Sequence, residues 1–105
     1  MATEIFLGTR LKLNIYVAPI DGLTLDDYDF EIDVWTTGKK VLHYTKADTI
    51  KVDSNNRKIR VDTEELGAGD LKYKIRAIVP DSDFIDGVRP EVYMEDTGLK
   101  IVKTI

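Results

Sequence analysis

His43 is the only histidine of the chain, and Ser54 and Ser82 are its only serines. A base-activated nucleophile would have to be assembled from these, with His43 on a predicted hairpin strand and each serine in a predicted turn. A triad also needs a third group to orient the base and a preformed donor pocket. No spacing in the chain announces either, so His43 reads as a surface or rim residue of its strand. Carboxylates are more plentiful: Asp26, Asp27, Asp29, Glu31 and Asp33 crowd one stretch. Paired catalytic acids work across a cleft whose opposed walls drive their proton affinities apart. Glu31 and Asp33 instead share the wet face of one predicted strand, and no catalytic residue is expected.

The loop Asp81-Ser82-Asp83-Phe84-Ile85-Asp86-Gly87 gathers oxygen ligands next to a glycine that permits a sharp bend. That makes Asp81, Asp83 and Asp86 a weak calcium candidate. An EF-hand, however, needs a bidentate Glu at its twelfth position, and counted from Asp81 that position is Val92. Aspartate and serine also satisfy loop amides on their own account, so neither a metal nor any other cofactor is expected. Gly67-Ala68-Gly69 has neither the lysine nor the long following helix of a phosphate-binding loop. Lys72, Lys74 and Arg76, together with Arg57, Lys58 and Arg60, would pave one sheet face if their strands were neighbours; the alternative is solvated cations paired with carboxylates across strands.

Aromatic residues give a different kind of signal. In the registers read from alternation, Tyr16, Trp35 and Tyr93 point away from the predicted core, and large amphipathic rings on an outward face are anchors of protein contacts. A bulge of one residue would reverse the assignment and bury Trp35. The apolar arm Ile5-Phe6-Leu7 and the end Ile101-Val102-Lys103-Thr104-Ile105 offer a further contact by adding strands to a neighbour's sheet edge. They serve equally well as first and last strands of their own fold. The expected contact residues are therefore Ile5, Phe6, Leu7, Tyr16, Trp35 and Tyr93.

These side chains must be positioned by strands, because the pattern has period two over most of the chain. Leu71, Tyr73, Ile75 and Ala77 alternate with Lys72, Lys74 and Arg76. Leu11, Leu13, Ile15 and Val17 alternate with Lys12, Asn14 and Tyr16, and the strand ends at Pro19 and Asp21-Gly22. Phe30, Ile32 and Val34 alternate with Glu31, Asp33 and Trp35, with a hairpin partner over Lys39 to Thr45 after Thr37-Gly38. Ile50 and Val52 lead through Asp53-Ser54-Asn55-Asn56 to Ile59 and Val61, another hairpin. Thr63 to Leu66 reads as a single helical turn capped by Asp62 or Thr63. Val88 to Glu95, a turn at Thr97-Gly98, and Leu99 to Lys103 complete the chain. The expectation is an all-β, Ig-like antiparallel β-sandwich of seven or eight strands forming a single domain over residues 1–105.

Composition narrows the function classes. The chain has 105 residues, 43% hydrophobic, and no cysteine, which excludes a disulfide framework and a thiolate zinc site. Its apolar runs are far shorter than the ~20 residues needed to span a bilayer, and its start lacks the basic and apolar regions of a secretory signal. The expectation is a protein made in the cytoplasm, with no membrane partner. A net charge of −4 opposes nucleic-acid binding.

The segment Leu66-Gly67-Ala68-Gly69-Asp70-Leu71-Lys72-Tyr73-Lys74-Ile75-Arg76-Ala77 resembles the entry to the penultimate strand region of immunoglobulin and fibronectin type III modules. A wider pattern is carried by Asp21-Gly22-Leu23-Thr24-Leu25, Asp29-Phe30-Glu31, Val61-Asp62-Thr63 with Leu66-Gly67-Ala68-Gly69, and Ile78-Val79-Pro80-Asp81-Ser82-Asp83-Phe84 with Asp86-Gly87-Val88-Arg89-Pro90-Glu91. It resembles small Ig-like virion proteins of tailed bacteriophages and of prophages of gut bacteria, some capsid-associated and others akin to baseplate or fibre-anchoring domains. The resemblance implies a non-enzymatic structural protein located in the virion. It would be a capsid decoration or head-fibre attachment, with capsid, fibre or baseplate proteins and copies of itself as partners. Tail or baseplate placement is the near alternative. A bacterial surface carbohydrate-binding module, with Trp35, Tyr16 and Tyr93 as a stacking platform, is the reading from a different class.

Overall fold

A computed structural model describes residues 3–37 and 40–103. Alternation builds most of it. In β2 (Arg10–Tyr16) Leu13 and Ile15 are buried while Lys12, Asn14 and Tyr16 are exposed; in β3 (Asp29–Trp35) Phe30, Ile32 and Val34 turn inward. The remaining strands are β1 (Thr3–Phe6), β4 (Val41–Thr45), β5 (Ile50–Asp53), β6 (Asn56–Asp62), β7 (Gly69–Pro80) and β8 (Val88–Val102). They form a five-stranded sheet in the order β1-β8-β7-β3-β4 and a three-stranded sheet in the order β2-β6-β5, called here the large and the small sheet. Phe30, Ile32, Val34, Leu71 and Ile75 from the large sheet meet Ile15, Ile59 and Val61 from the small one in a single apolar cluster. The fold is the expected all-β Ig-like sandwich, with eight strands.

One pairing departs from a purely antiparallel plan. β1 runs parallel to the end of β8, Thr3 opposite Leu99 and Phe6 opposite Val102, and Leu7 N–H extends the ladder to the Val102 carbonyl at 2.7 Å. Ile5 and Phe6 thus lie in the chain's own edge strand and Leu7 begins its first turn, with Leu7 packed against the core and Phe6 62% exposed. Ile101, fully buried, likewise belongs to this fold. Of the expected end segment, Thr104 and Ile105 lie outside the described residues, as do Gly38 and Lys39 of the β3–β4 hairpin.

Thr97-Gly98 does not separate two strands. It forms a bulge inside β8, where the register steps from Lys72 opposite Asp96 to Asp70 opposite Lys100. Turn chemistry accomplishes this without breaking the ladder: Gly98 takes φ 76°, and Thr97 Oγ1 donates to the Leu71 carbonyl at 2.7 Å.

Asp62 caps the single turn α1 (Thr63–Leu66) by accepting from Glu64 N–H at 3.1 Å. Thr63 does something else. Its buried hydroxyl accepts from Gly8 N–H at 2.9 Å and donates to the Thr9 carbonyl at 2.7 Å, fastening the β1–β2 turn to the end of β6. Gly69, at φ 134°, starts β7 where a Cβ would lie 2.1 Å from Thr37 Oγ1, so only glycine lets the chain pass there. From that point β7 and β8 rise together as a long hairpin, in a molecule measuring 53 × 26 × 26 Å.

Candidate functional site

Register decides which side chains meet on the outer face of the large sheet. Trp35 lies opposite Val41 on one side and Lys72 on the other, and Lys72 lies opposite Asp96. The next row is His43, Asp33, Lys74 and Met94, and the next is Thr45, Glu31, Arg76 and Val92. Trp35 is half-buried on this face, pointing outward as its parity predicts, and no bulge intervenes in β3. Beside it Val41 and Met94 are 56% and 64% exposed, and Val92, one row beyond Met94 on β8, is also exposed. Two shallow hollows flank the ring, one of about 350 Å³ shared with Asp33, Val41, Lys74 and Met94, the other of about 160 Å³ beside Lys72 and Asp96.

Asp33 neutralises the polar part of this face. It accepts from His43 Nδ1 at 2.7 Å and lies 3.5 Å from Lys74 Nζ. That hydrogen bond, with the further negative charges of Glu31 and Asp48, raises the His43 pKa above its ordinary value against a smaller desolvation effect. His43 is half-exposed at the sheet surface, as expected. Neither Ser54 nor Ser82 is among its hydrogen-bond partners, because one sits in the β5–β6 turn and the other in the β7–β8 turn. The acids near Asp26 are also dispersed. Asp27 closes its own turn through Thr24 N–H at 2.8 Å, and Asp29 accepts from Phe30 N–H at 2.9 Å.

Tyr16 and Tyr93 come together elsewhere. With Tyr73, Val17, Pro19 and Glu95 they line a groove of about 330 Å³ at the open side of the sandwich, between the end of β2 and the middle of β8. Tyr93 lies opposite buried Ile75, so it belongs to the core-facing side of the large sheet and not to the outward face expected for it. It is exposed there because the small sheet, two strands narrower, does not cover the middle of β8, although the far end of that strand buries Ile101. Its hydroxyl donates to Glu91 at 2.5 Å, and this bond, with burial and the Glu91 charge, pushes its pKa up to about 12. Trp35 is on the opposite face, so the three rings do not make one platform.

Of the weak calcium candidates Asp81, Asp83 and Asp86, two have their carboxylates engaged within the protein. Arg89 donates to Asp81 at 2.5 Å and to Asp21 at 2.6 Å, placing a guanidinium where a metal would bind. Asp81 and Asp86 also accept from the loop amides of Asp83 and Val88. Among the described residues no group of three or more His, Asp or Glu side chains converges on a metal-sized site.

The cations of β6 and β7 lie on different sheets, so they do not pave one face. Lys72, Lys74 and Arg76 lie on the large sheet, whereas Lys58 and Arg60 lie on the small one. Arg57 is not on a wet face at all. Opposite Ile15 and almost fully buried, it bonds Asp26 at 2.7 Å and stacks its guanidinium 5.8 Å from the Phe30 ring centre. Lys51 hydrogen-bonds the same carboxylate and, with Arg57, holds Asp26 below the usual carboxylate range. Parity was the available signal: Arg57 sits two residues before Ile59, on the inward side.

The chain matches no protein family, no curated protein and no solved structure. Among the described residues no helix is long and apolar enough to cross a membrane.

Proposed function

We propose that the protein is a non-enzymatic virion structural protein of a tailed phage or prophage, a capsid decoration or head-fibre attachment, that docks on other virion proteins through the outer face of its large sheet. The observation that carries the contact role is the outward Trp35 with exposed Val41 and Met94 beside it, while the neighbouring Asp33, His43 and Lys74 are paired to one another. A face built this way offers apolar area at low desolvation cost, since its carboxylate already has cationic partners. Many weak copies on a symmetric particle bind strongly in sum. The phage context comes from the sequence resemblance, and tail or baseplate placement fits the same surface.

The test is co-sedimentation of purified chain with intact phage particles. The chain is expected in the particle fraction, and Trp35→Ala is expected to stay folded and remain in the supernatant. Recovery of the wild-type chain wholly outside the particle fraction would overturn the reading. A carbohydrate-binding module is the second reading, favoured by the groove that joins Tyr16, Tyr73 and Tyr93. Glycan binding lost in Tyr93→Ala and kept in Trp35→Ala would select it.

A further inference from the structure

The two ends of the molecule carry opposite and unsatisfied features. At one end the β7–β8 loop presents Phe84, half-exposed, and Ile85, fully exposed, between Asp83 and Asp86. The loop is held stiff: Asp81 and Gly87 close it at 2.9 Å, Gly87 N–H bonds the Phe84 carbonyl at 2.9 Å, and Arg89 clamps its base to Asp81 and Asp21. A rigid tip offers its two apolar side chains with little ordering entropy left to lose on docking.

At the other end, where β2 begins and β6 finishes, Arg10, Leu11, Lys12, Arg60, Val61 and Asp62 line a mainly apolar groove of about 400 Å³. Its rim is cationic. Arg10 is matched by Asp62 at 3.5 Å, but Lys12 lies directly opposite Arg60. Val17 N–H bonds the Asn55 carbonyl across the same strand pair, so by alternation Lys12 and Arg60 form a non-hydrogen-bonded pair, the type whose side chains stand closest. Like charges so placed repel. Among the described residues no ion pair relieves Lys12 or Arg60, and none engages Asp83 or Asp86.

We propose that the chain assembles head to tail with copies of itself, the Asp83-Phe84-Ile85-Asp86 tip of one copy seating in the Arg10–Lys12–Arg60 groove of the next. The apolar side chains fill the groove and the flanking aspartates neutralise the Lys12–Arg60 pair. A chain cannot satisfy its own groove, because the strand β7 that separates the two ends spans about 40 Å over its twelve residues. A contact between different patches is heterologous and generates rings or filaments according to its rotation. The inference rests on the protein-contact reading only in supposing that the chain works by association. Its failure leaves docking through Trp35 untouched.

The test is sedimentation velocity of the full chain over a wide concentration range at low and high salt. The weight-average sedimentation coefficient is expected to rise with concentration and to fall when salt is added. Phe84→Ser with Ile85→Ser, and separately Lys12→Glu with Arg60→Glu, should each weaken association by about tenfold or more. All four side chains are exposed or on the surface, and unchanged circular dichroism and melting confirm that the variants fold. Mixing the two double variants is decisive: one retains a working tip and the other a working groove, so they should form a one-to-one dimer that grows no further. A wild-type chain that stays monomeric at low salt, a mixture that stays monomeric, or association that survives the Phe84 and Ile85 changes would each overturn the proposal. Particle co-sedimentation of the Phe84→Ser, Ile85→Ser variant, measured separately, reports on the large-sheet face alone.

Discussion

The outer faces of the two sheets are both wet, yet they keep their charges in different ways. On the large sheet Asp33 stands between His43 and Lys74, and Glu31 lies opposite Arg76, so cations and acids alternate across strands and leave the apolar cluster around Trp35 as the distinctive feature. On the small sheet only Arg10 has an acid opposite, Asp62; Lys12 faces Arg60 and Asn14 faces Lys58, so most of its cations oppose cations or neutral groups. Local pairing on one face suits a dry, short-range contact. Unpaired charge on the other suits a partner that brings acids, and its attraction is felt over a Debye length of about 8–10 Å and lost in salt.

The inner faces differ as well, and there the largest effect is expected. The large sheet buries only apolar side chains toward the small one at its centre, whereas the small sheet also turns Arg57 of its central strand inward, bonded to Asp26 and against Phe30. Arg57→Ala removes the packing of the stem and a charged hydrogen bond together, for a loss of about 2–4 kcal/mol. Chemical denaturation checks this. A loss below about 1 kcal/mol would mean that the ion pair is ornamental and that the two inner faces are energetically alike.

Trp35→Ala comes next. The ring is half-buried on an open face, so truncation should cost about 1–2 kcal/mol of stability, well below the ~3–5 kcal/mol of a core aromatic, while abolishing particle association. Stability lost on the scale of Phe30→Ala would instead make Trp35 a structural residue and erase the difference between outer face and core. Smaller still is Lys12→Glu. Replacing one member of a repelling cross-strand pair should stabilise the isolated chain by about 0.2–1 kcal/mol and at the same time weaken self-association. Opposite signs in melting and sedimentation are the outcome that separates a docking rim from an ordinary solvated face.

Much of this was legible in the sequence, for a physical reason. Period-two alternation fixes which side of a strand is dry, so β2, β3, β6 and β7, the helical turn at Thr63 and the outward Trp35 could be read directly. Parity also carried the burial of Arg57, but the type of its side chain overrode the pattern when it was grouped with Lys58 and Arg60. Tyr93 failed for another reason. Val92 and Met94 are apolar on the outer face and so invert the apparent parity of β8, while Tyr93 on the inner face stays exposed because the small sheet does not reach the middle of that strand. The Lys12–Arg60 opposition and the two-ended arrangement of tip and groove were invisible, since strand neighbours and loop positions are set by pairing between segments far apart in the chain.

His43 gives the smallest effect and the most direct measure of whether the large-sheet charges are paired in solution. The groups facing it are Asp33, bonded at 2.7 Å, with Glu31 and Asp48 adding negative charge and Lys74 sharing Asp33 from the other side. A histidine raised in the folded state contributes stability that is complete below its unfolded pKa of about 6.5 and disappears as pH rises through the higher folded value. Stability should therefore decline slightly from pH 6 to pH 8, by well under ~1 kcal/mol, because solvent screens a half-exposed pair. The imidazole protons followed by NMR should titrate above ~6.5 in the wild-type chain and return toward that value in Asp33→Asn. A midpoint at or below ~6.5 in the wild-type chain would show that Asp33 does not hold the imidazolium. The two outer faces would then share the same unsettled electrostatics, and the contact surface would have to be sought in the groove of Tyr16 and Tyr93.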